Sequence, residues 1–237
     1  MIMHIIADLH THTLASQHAY STIDELCRAA IEKDFCALAV TDHGPAMPDG
    51  ATQHHFFCLS GLPSKINDLL LYKGAEVNIT DYRGQLDLDT PLLKQLDFVV
   101  ASYHIECIQP SDVANHTEGL LQVIKNPDVD CIGHCGNPVF LIEPLPIVKA
   151  CAKYGKLIEI NSNSFKVRPG SDKICREVAR LCKQYQVKVV VNSDAHSKWQ
   201  VGEHTEALHM LEKLDFPEEL VINSSKQRLL TYFSEKD

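Results

Sequence analysis

One event recurs along this chain and constrains its fold more than any other feature. A short, continuously apolar run stops, and a His, Asp, Glu or Asn stands at or just past its end. Ile5-Ile6-Ala7 leads into Asp8-Leu9-His10-Thr11-His12, and Cys36-Ala37-Leu38-Ala39-Val40 leads into Thr41-Asp42-His43. Glu76 lies inside Gly74-Ala75-Glu76-Val77-Asn78-Ile79, and Phe98-Val99-Val100-Ala101-Ser102 precedes Tyr103-His104. The run over 129–133 ends at His134, Leu157-Ile158-Glu159-Ile160 ends at Asn161, and the run over 187–191 ends at Asn192-Ser193-Asp194-Ala195-His196. Unbroken rather than alternating hydrophobicity is the mark of strands covered on both faces, as in parallel sheets and barrels.

Helical patterns separate the runs. Ser21 reads as the N-cap of a helix over 22–33, with Asp24 completing a capping box, and Pro91 suits the first position of a short helix from about Thr90. Further helices are expected over 111–125, 144–154 and 171–186, with two closing helices between 203 and 234 around Asp215-Phe216-Pro217 and a short apolar run at 220–222. The stretch 62–71 reads as weakly helical. The loop over 44–60, rich in Pro, Gly and His, is too long for a simple connector and reads as a candidate lid. Seven runs alternating with helices predict an α/β fold, one (β/α) barrel of about seven strands, as a single domain over 1–237. No Gly-rich phosphate loop, internal repeat or low-complexity segment is present.

Barrel chemistry sits at the carboxyl ends of the strands. His10, His12, His43, Glu76, His104, His134, Asn161, Asp194 and His196 are therefore expected on one rim. His10 and His12 are two residues apart, so an extended backbone points both to the same side. So many desolvated imidazoles and carboxylates would be costly in one cup without cations. They also exceed the three protein ligands of a single catalytic zinc, which implies more than one metal. A carboxylate with two oxygens bridges metals better than an imidazole does, and Glu76, central in the order, is the expected bridge.

Thirteen histidines in 237 residues is the unusual count. His116, His204 and His209 fall in helical stretches and read as core or solvated residues. His54 and His55 belong to the proposed lid, and His4 precedes the first strand. The nine cysteines include no CxxC pair; Cys27, Cys151, Cys175 and Cys182 lie in helical patterns as small buried hydrophobes, so reduced thiols are expected. A net charge of -9 argues against a non-specific hold on nucleic acid. No apolar run is long enough to span a bilayer, and Met1-Ile2-Met3-His4 lacks the features of a signal peptide. A cytoplasmic protein with a small-molecule partner is expected, with a homo-oligomer left open.

DLHTHT, TDHG, the Glu of GAEVNI, the isolated His104, GHCGNP and NSDAH together resemble, in order, the motif series of the PHP (polymerase and histidinol phosphatase) family. The match runs from Asp8 to His196 and on into the tail. Within the family the chain is most similar to the small stand-alone phosphatases of the YcdX type, particularly at SQHAYST and NSNSFKVRPGSDKICREVA. The resemblance implies a distorted seven-stranded barrel holding three divalent metals. It implies His10, His12, Glu76 and Asp194 for the first metal, Glu76, His104 and His134 for the second, and His18, His43 and His196 for the third. Zinc is the expected metal, and manganese, iron or cobalt suit the same donors. Cys135 departs from the proline usual after the histidine and reads as a packing residue. The loop at 166–170 differs in length.

The reaction expected is hydrolysis of small phosphate monoesters. A hydroxide bridging two metals would attack phosphorus while the third neutralises a non-bridging oxygen. Glu76, Asp194, His196 and Arg168 are the expected catalytic residues. Arg168 or Lys166 could hold the phosphate, Arg by a bidentate contact, with Ser164 and Tyr20 as hydrogen-bond donors. Asp8 and Asp42, beside the ligands, could orient imidazoles. The rivals are an amidohydrolase-like C–N hydrolase, disfavoured because no run ends in a metal-bridging lysine, and a nuclease or non-catalytic PHP module.

Overall fold

A computed structural model describes residues 3–235; positions 1, 2, 236 and 237 of the expected 1–237 domain lie outside the described residues. The strands are β1 (Ala7–Asp8), β2 (Ala37–Val40), β3 (Lys65–Ile66), β4 (Leu69–Asn78), β5 (Phe98–Ser102), β6 (Cys131–Ile132), β7 (Leu157–Asn161) and β8 (Val189–Asn192). Seven of them run parallel in the order β1-β2-β4-β5-β6-β7-β8, and β3 pairs antiparallel with β4 at one side. Every residue of β1, β2, β5, β6, β7 and β8 is buried, as the unbroken apolar runs require.

The helices are α1 (Ile23–Glu32), α2 (Gln53–Cys58), α3 (Thr90–Leu93), α4 (Val113–Ile124), α5 (Pro144–Tyr154), α6 (Ser164–Val167), α7 (Ser171–Tyr185), α8 (Thr205–Lys213) and α9 (Lys226–Ser234). Helix α7 shows how they are seated: Cys175, Val178, Ala179 and Cys182 are buried at the i, i+3, i+4, i+7 positions of one stripe. Helix α5 stops at Gly155, whose φ of 68° suits the left-handed C-cap. All nine cysteines are free thiols. Among the described residues no helix is long and apolar enough to cross a membrane.

The barrel closes by a seam rather than a ladder. At the carboxyl end, Thr11 and Ala195 form an isolated parallel bridge, and the His12 N–H donates to the Ala195 carbonyl at 2.8 Å. At the other end Asn223, from the tail, is inserted between the first and last strands. Its amide donates to the carbonyls of Ala7 (2.9 Å) and Val191 (2.6 Å) and accepts from the Val191 N–H (3.1 Å). Its own carbonyl takes the Ile6 N–H at 2.9 Å.

Three sequence expectations are corrected. Helix α1 is capped by Thr22 with Glu25, not by Ser21 with Asp24. Ser21 is instead buried and accepts the Lys198 N–H at 2.9 Å, tying the β1 loop to the β8 loop. The 62–71 stretch is not helical but forms the β3–β4 hairpin, turned at Asn67 with φ 52°, a conformation Asn tolerates. The 44–60 segment is no free lid. It ends in α2 and a 3-10 turn, buries Met47, Ala51, Phe56 and Leu59, and is pinned by the Gln17 N–H to the Asp49 carbonyl at 2.9 Å.

Candidate metal centre

The strand ends bring the predicted residues together. Glu76, in β4, is buried and surrounded by imidazoles. Its Oε2 lies 2.8 Å from His43 Nδ1, 3.3 Å from His10 Nε2 and 3.6 Å from His12 Nε2. Its Oε1 lies 2.9 Å from His134 Nε2 and 3.4 Å from His104 Nε2. Asp194 Oδ1 approaches His12 Nε2 at 3.2 Å and His10 Nε2 at 3.7 Å. The His18 ring stands 5.0 Å from that of His43 and 4.9 Å from that of His196, at the open side of the cluster.

Among the described residues, three groups have ligand atoms within 4.8 Å of one another: His10, His12 and Glu76; His43, Glu76 and His104; and His12, His43 and His196. Glu76 belongs to two of them. Several imidazoles are held at one nitrogen so that the other is free. Nδ1–H donates from His10 to Glu159 Oε1 (2.6 Å), from His18 to Asp49 Oδ2 (2.8 Å), from His104 to Asn78 Oδ1 (2.7 Å) and from His196 to the Asp194 carbonyl (3.0 Å). In each, the neutral ring with Nδ1 protonated carries its lone pair on Nε2, the arrangement typical of metal-ligating histidines.

The donor set fits divalent cations. His10 Nε2, both ring nitrogens of His12 and His43 Nδ1 are buried without a hydrogen-bond partner. Leaving such atoms unsatisfied is costly, and a cation bound at the one lone-pair nitrogen of each ring would remove that part of the cost.

The sequence matches the PHP domain over residues 8–163. The chain belongs to the PHP family. This PHP chain is 46% identical over 238 residues to a "Probable phosphatase" of Caldanaerobacter subterraneus subsp. tengcongensis, covering 100% of the chain and 94% of that protein. It is 42% identical over 234 residues to a "Probable phosphatase" of Acetivibrio thermocellus, covering 99% and 97%. Among solved structures, histidinol phosphate phosphatase from Lactococcus lactis subsp. lactis Il1403, complexed with zinc, L-histidinol and phosphate, superposes with a TM-score of 0.60 at 18% identity, covering 88% of this chain and 91% of that one.

Electrostatics in the PHP centre follow from burial opposed by close partners. Burial pushes the Glu76 carboxyl up, but His10, His104 and His43 together hold it well below the usual range. Asp194 is likewise held well below, burial being outweighed by His10, His12, His196 and Arg168. Burial opposes the protonation of His10, yet Glu159, Glu76 and Asp194 together raise it well above the ordinary value. His12 is driven well below by burial and by His43 and His196, and His134 falls to about 4 through burial and the Arg168 charge. Two site residues also have unusual backbones, with φ 55° at Asp194 and 22° at His134. A non-glycine residue at positive φ is uncommon and persists where its surroundings fix it.

The residue most missed in the sequence is Glu159. It lies wholly buried in β7 and accepts four hydrogen bonds, from His10 Nδ1, Asn192 Nδ2 (2.9 Å), the His134 N–H (2.8 Å) and Asn161 Nδ2 (3.1 Å). Its signal was available: a carboxylate inside an apolar run, two residues before Asn161 and so on the same strand face. Asn78 carries the same signal two residues after Glu76. Asn161 also reaches the centre, donating from Nδ2 to Asp194 Oδ2 at 3.1 Å.

The centre opens into a cleft of about 800 Å³. Arg168 lines it, with its guanidinium donating to Ser164 Oγ at 3.0 Å and standing 3.6 Å from Asp194 Oδ2. Lys166 points instead to Glu203 at 4.0 Å, and Tyr20 is 73% exposed; neither lines the cleft. Ser164 is fully buried beneath Arg168, so it steers that side chain. Asp42 accepts from the N–H and hydroxyl of both Thr13 and Ser16, which fixes the His18 loop, and its Oδ2 lies 3.4 Å from His55 Nε2. Asp8 accepts from Ser193 Oγ at 2.5 Å and from the Gly202 N–H at 2.9 Å, bracing the loop that carries Asp194.

The other histidines lie away from this cluster. His116 is buried and bonded at both ring nitrogens, to the Ser111 N–H and the Leu141 carbonyl. His204 is buried against Phe35 with its Nε2 3.6 Å from Asp8 Oδ2, while His4, His54 and His209 are exposed. Cys135 is buried, and burial raises its thiol well above the ordinary value, as for a packing residue.

Proposed function

We propose that this PHP chain is a phosphatase that hydrolyses small phosphate monoesters at a centre of three divalent metals, with zinc the favoured metal. The observation that carries the reading is Glu76, whose two oxygens face separate imidazole groups, His10 and His43 on one and His104 and His134 on the other. The relatives named probable phosphatases and the neighbour solved with zinc and phosphate support it. His10, His12, Glu76 and Asp194 would hold the first metal, Glu76, His104 and His134 the second, and His18, His43 and His196 the third.

When bound, such cations supply Lewis acidity, acidifying water and offsetting the charge of a phosphate dianion. The protein supplies the rest. Glu159, Asn78 and Asp49 fix imidazole tautomers, so the lone pairs are in place before substrate arrives. Arg168, steered by Ser164, offers the cleft a guanidinium suited to two phosphate oxygens. His196, which also lines the cleft, and Asp194 stand where the substrate enters. No described barrel strand ends in lysine, which is why the C–N hydrolase reading is not favoured.

The test is elemental analysis of the purified protein beside hydrolysis of p-nitrophenyl phosphate and of a 3′-ended oligonucleotide. About three transition metals per chain and turnover of the ester alone are expected, as the three-metal reading requires. Glu76→Ala is expected to lose metal and activity while staying folded by circular dichroism. Turnover of the oligonucleotide alone, or full activity in metal-stripped protein, refutes the reading.

A further inference from the structure

The cleft has two unlike parts. Its floor is the polar metal centre, while three apolar side chains rise from three consecutive βα loops at its wall. Ile105 follows β5, Val139 follows β6, and Val167 lies in α6 after β7. They are 50%, 46% and 57% exposed, so none is a core residue that merely borders the cavity. Apolar groups gathered at a concave site mark a ligand surface rather than ordinary scattered exposure.

The charges near that wall carry the second half of the argument. Glu106, beside Ile105, is exposed, and Asp49 also lines the cleft. Arg168 is the one Lys or Arg among the described residues that line the cleft, and it lies at the floor beside Asp194. A second anionic group on the substrate would meet carboxylates there and no free cation.

We propose that the alcohol half of the substrate is apolar and carries no further negative charge, with its hydrocarbon surface seated on Ile105, Val139 and Val167 while the phosphate faces the centre. This rests on the phosphatase reading and deepens it. Phosphorylated sugars and bisphosphates are then poor substrates, and alkyl or aryl monoesters good ones.

The experiment measures kcat/KM of the metal-loaded enzyme for ethyl, butyl and hexyl phosphate, for glycerol 1-phosphate and for a hexose bisphosphate. Each buried methylene should raise kcat/KM by about fourfold until the wall is covered. In Ile105→Ser/Val139→Ser the gain per methylene should fall below about twofold. Inorganic phosphate, which has no alcohol half, should inhibit both proteins equally. Both substitutions are at exposed positions, and matching circular dichroism melts check that folding is unchanged. A flat alkyl series in the parent enzyme, an unchanged slope in the variant, or preference for the bisphosphate over hexyl phosphate overturns the proposal while leaving a phosphatase. Absence of turnover for every monoester removes the phosphatase reading and this inference with it.

Discussion

Glu159→Gln tests whether a carboxylate outside the ligand set controls metal affinity. Glu159 Oε1 accepts from His10 Nδ1 and Asn192 Nδ2, and Oε2 accepts from the His134 N–H and Asn161 Nδ2. Glutamine has the same shape but keeps only one acceptor oxygen. In either amide orientation, two of those four buried donors face an NH₂ group. Each buried donor left unpaired costs about 1–3 kcal/mol, so the metal-free variant should lose roughly 2–6 kcal/mol of stability before relaxation. Removing the partner that orients His10 should also weaken the metal held by His10 and His12 by about 10–100-fold. The site proposed at His18, His43 and His196 has its own supports, Asp49 and the Asp194 carbonyl, and should keep its affinity.

Chelator-competition isotherms with Zn²⁺ resolve the sites, thermal melts in EDTA report the metal-free fold, and imidazole ¹⁵N shifts report the His10 tautomer. Metal binding at parental affinity, with only a lower melting temperature, would show Glu159 to be a buried structural carboxylate and nothing more. Glu159→Asp, which retains both acceptors on a shorter stem, should recover part of the affinity.

Arg168→Ala should lower kcat/KM for a monoester by about 10–100-fold, the worth of a charge-assisted contact to phosphate; an unchanged steady-state value would remove the arginine from the site. Asn223→Ala strips partners from Ala7 and Val191 at the barrel seam, and urea denaturation should show a loss of about 2–4 kcal/mol. For the metal-free protein, His134 is neutral down to about pH 4, whereas an unfolded histidine protonates near 6.5. The unfolded chain therefore binds more protons between these values, and stability falls as pH drops from 6.5 towards 4. His12 and His196 act in the same direction, and His10, raised above 6.5, contributes no slope in that window. The His134 share is at most about 3 kcal/mol, and melting temperatures in EDTA that do not change across the window would contradict it.

The barrel and the rim of the site were legible because they depend on long-period features: unbroken apolar runs, and polar residues where those runs stop. What eluded the sequence turns on alternatives of one or two residues. Ser21 and Thr22 are both good N-caps, and the choice falls to Thr22 because Ser21 is occupied by the Lys198 N–H, a contact 177 residues away in sequence. The 62–71 stretch has enough leucine to look helical, but the turn at Asn67 folds it back on β4. Glu159, Asn78 and Asp49 went unread as partners because each acts through a histidine from another strand or loop, and only the closed barrel supplies that neighbour. Lys166 and Arg168 look equivalent in sequence, and the short helix α6 sends one outward to Glu203 and the other over Ser164.

The seam at Asn223 bears on how the protein matures. Because the tail must insert between the first and last strands, a nascent chain on the ribosome exposes His10 and His12 long before their partner Asp194 is made and the cylinder can shut. Loading of the proposed centre should therefore wait until residue 223 is in place, and a version truncated before it should bind cations more loosely than the full chain.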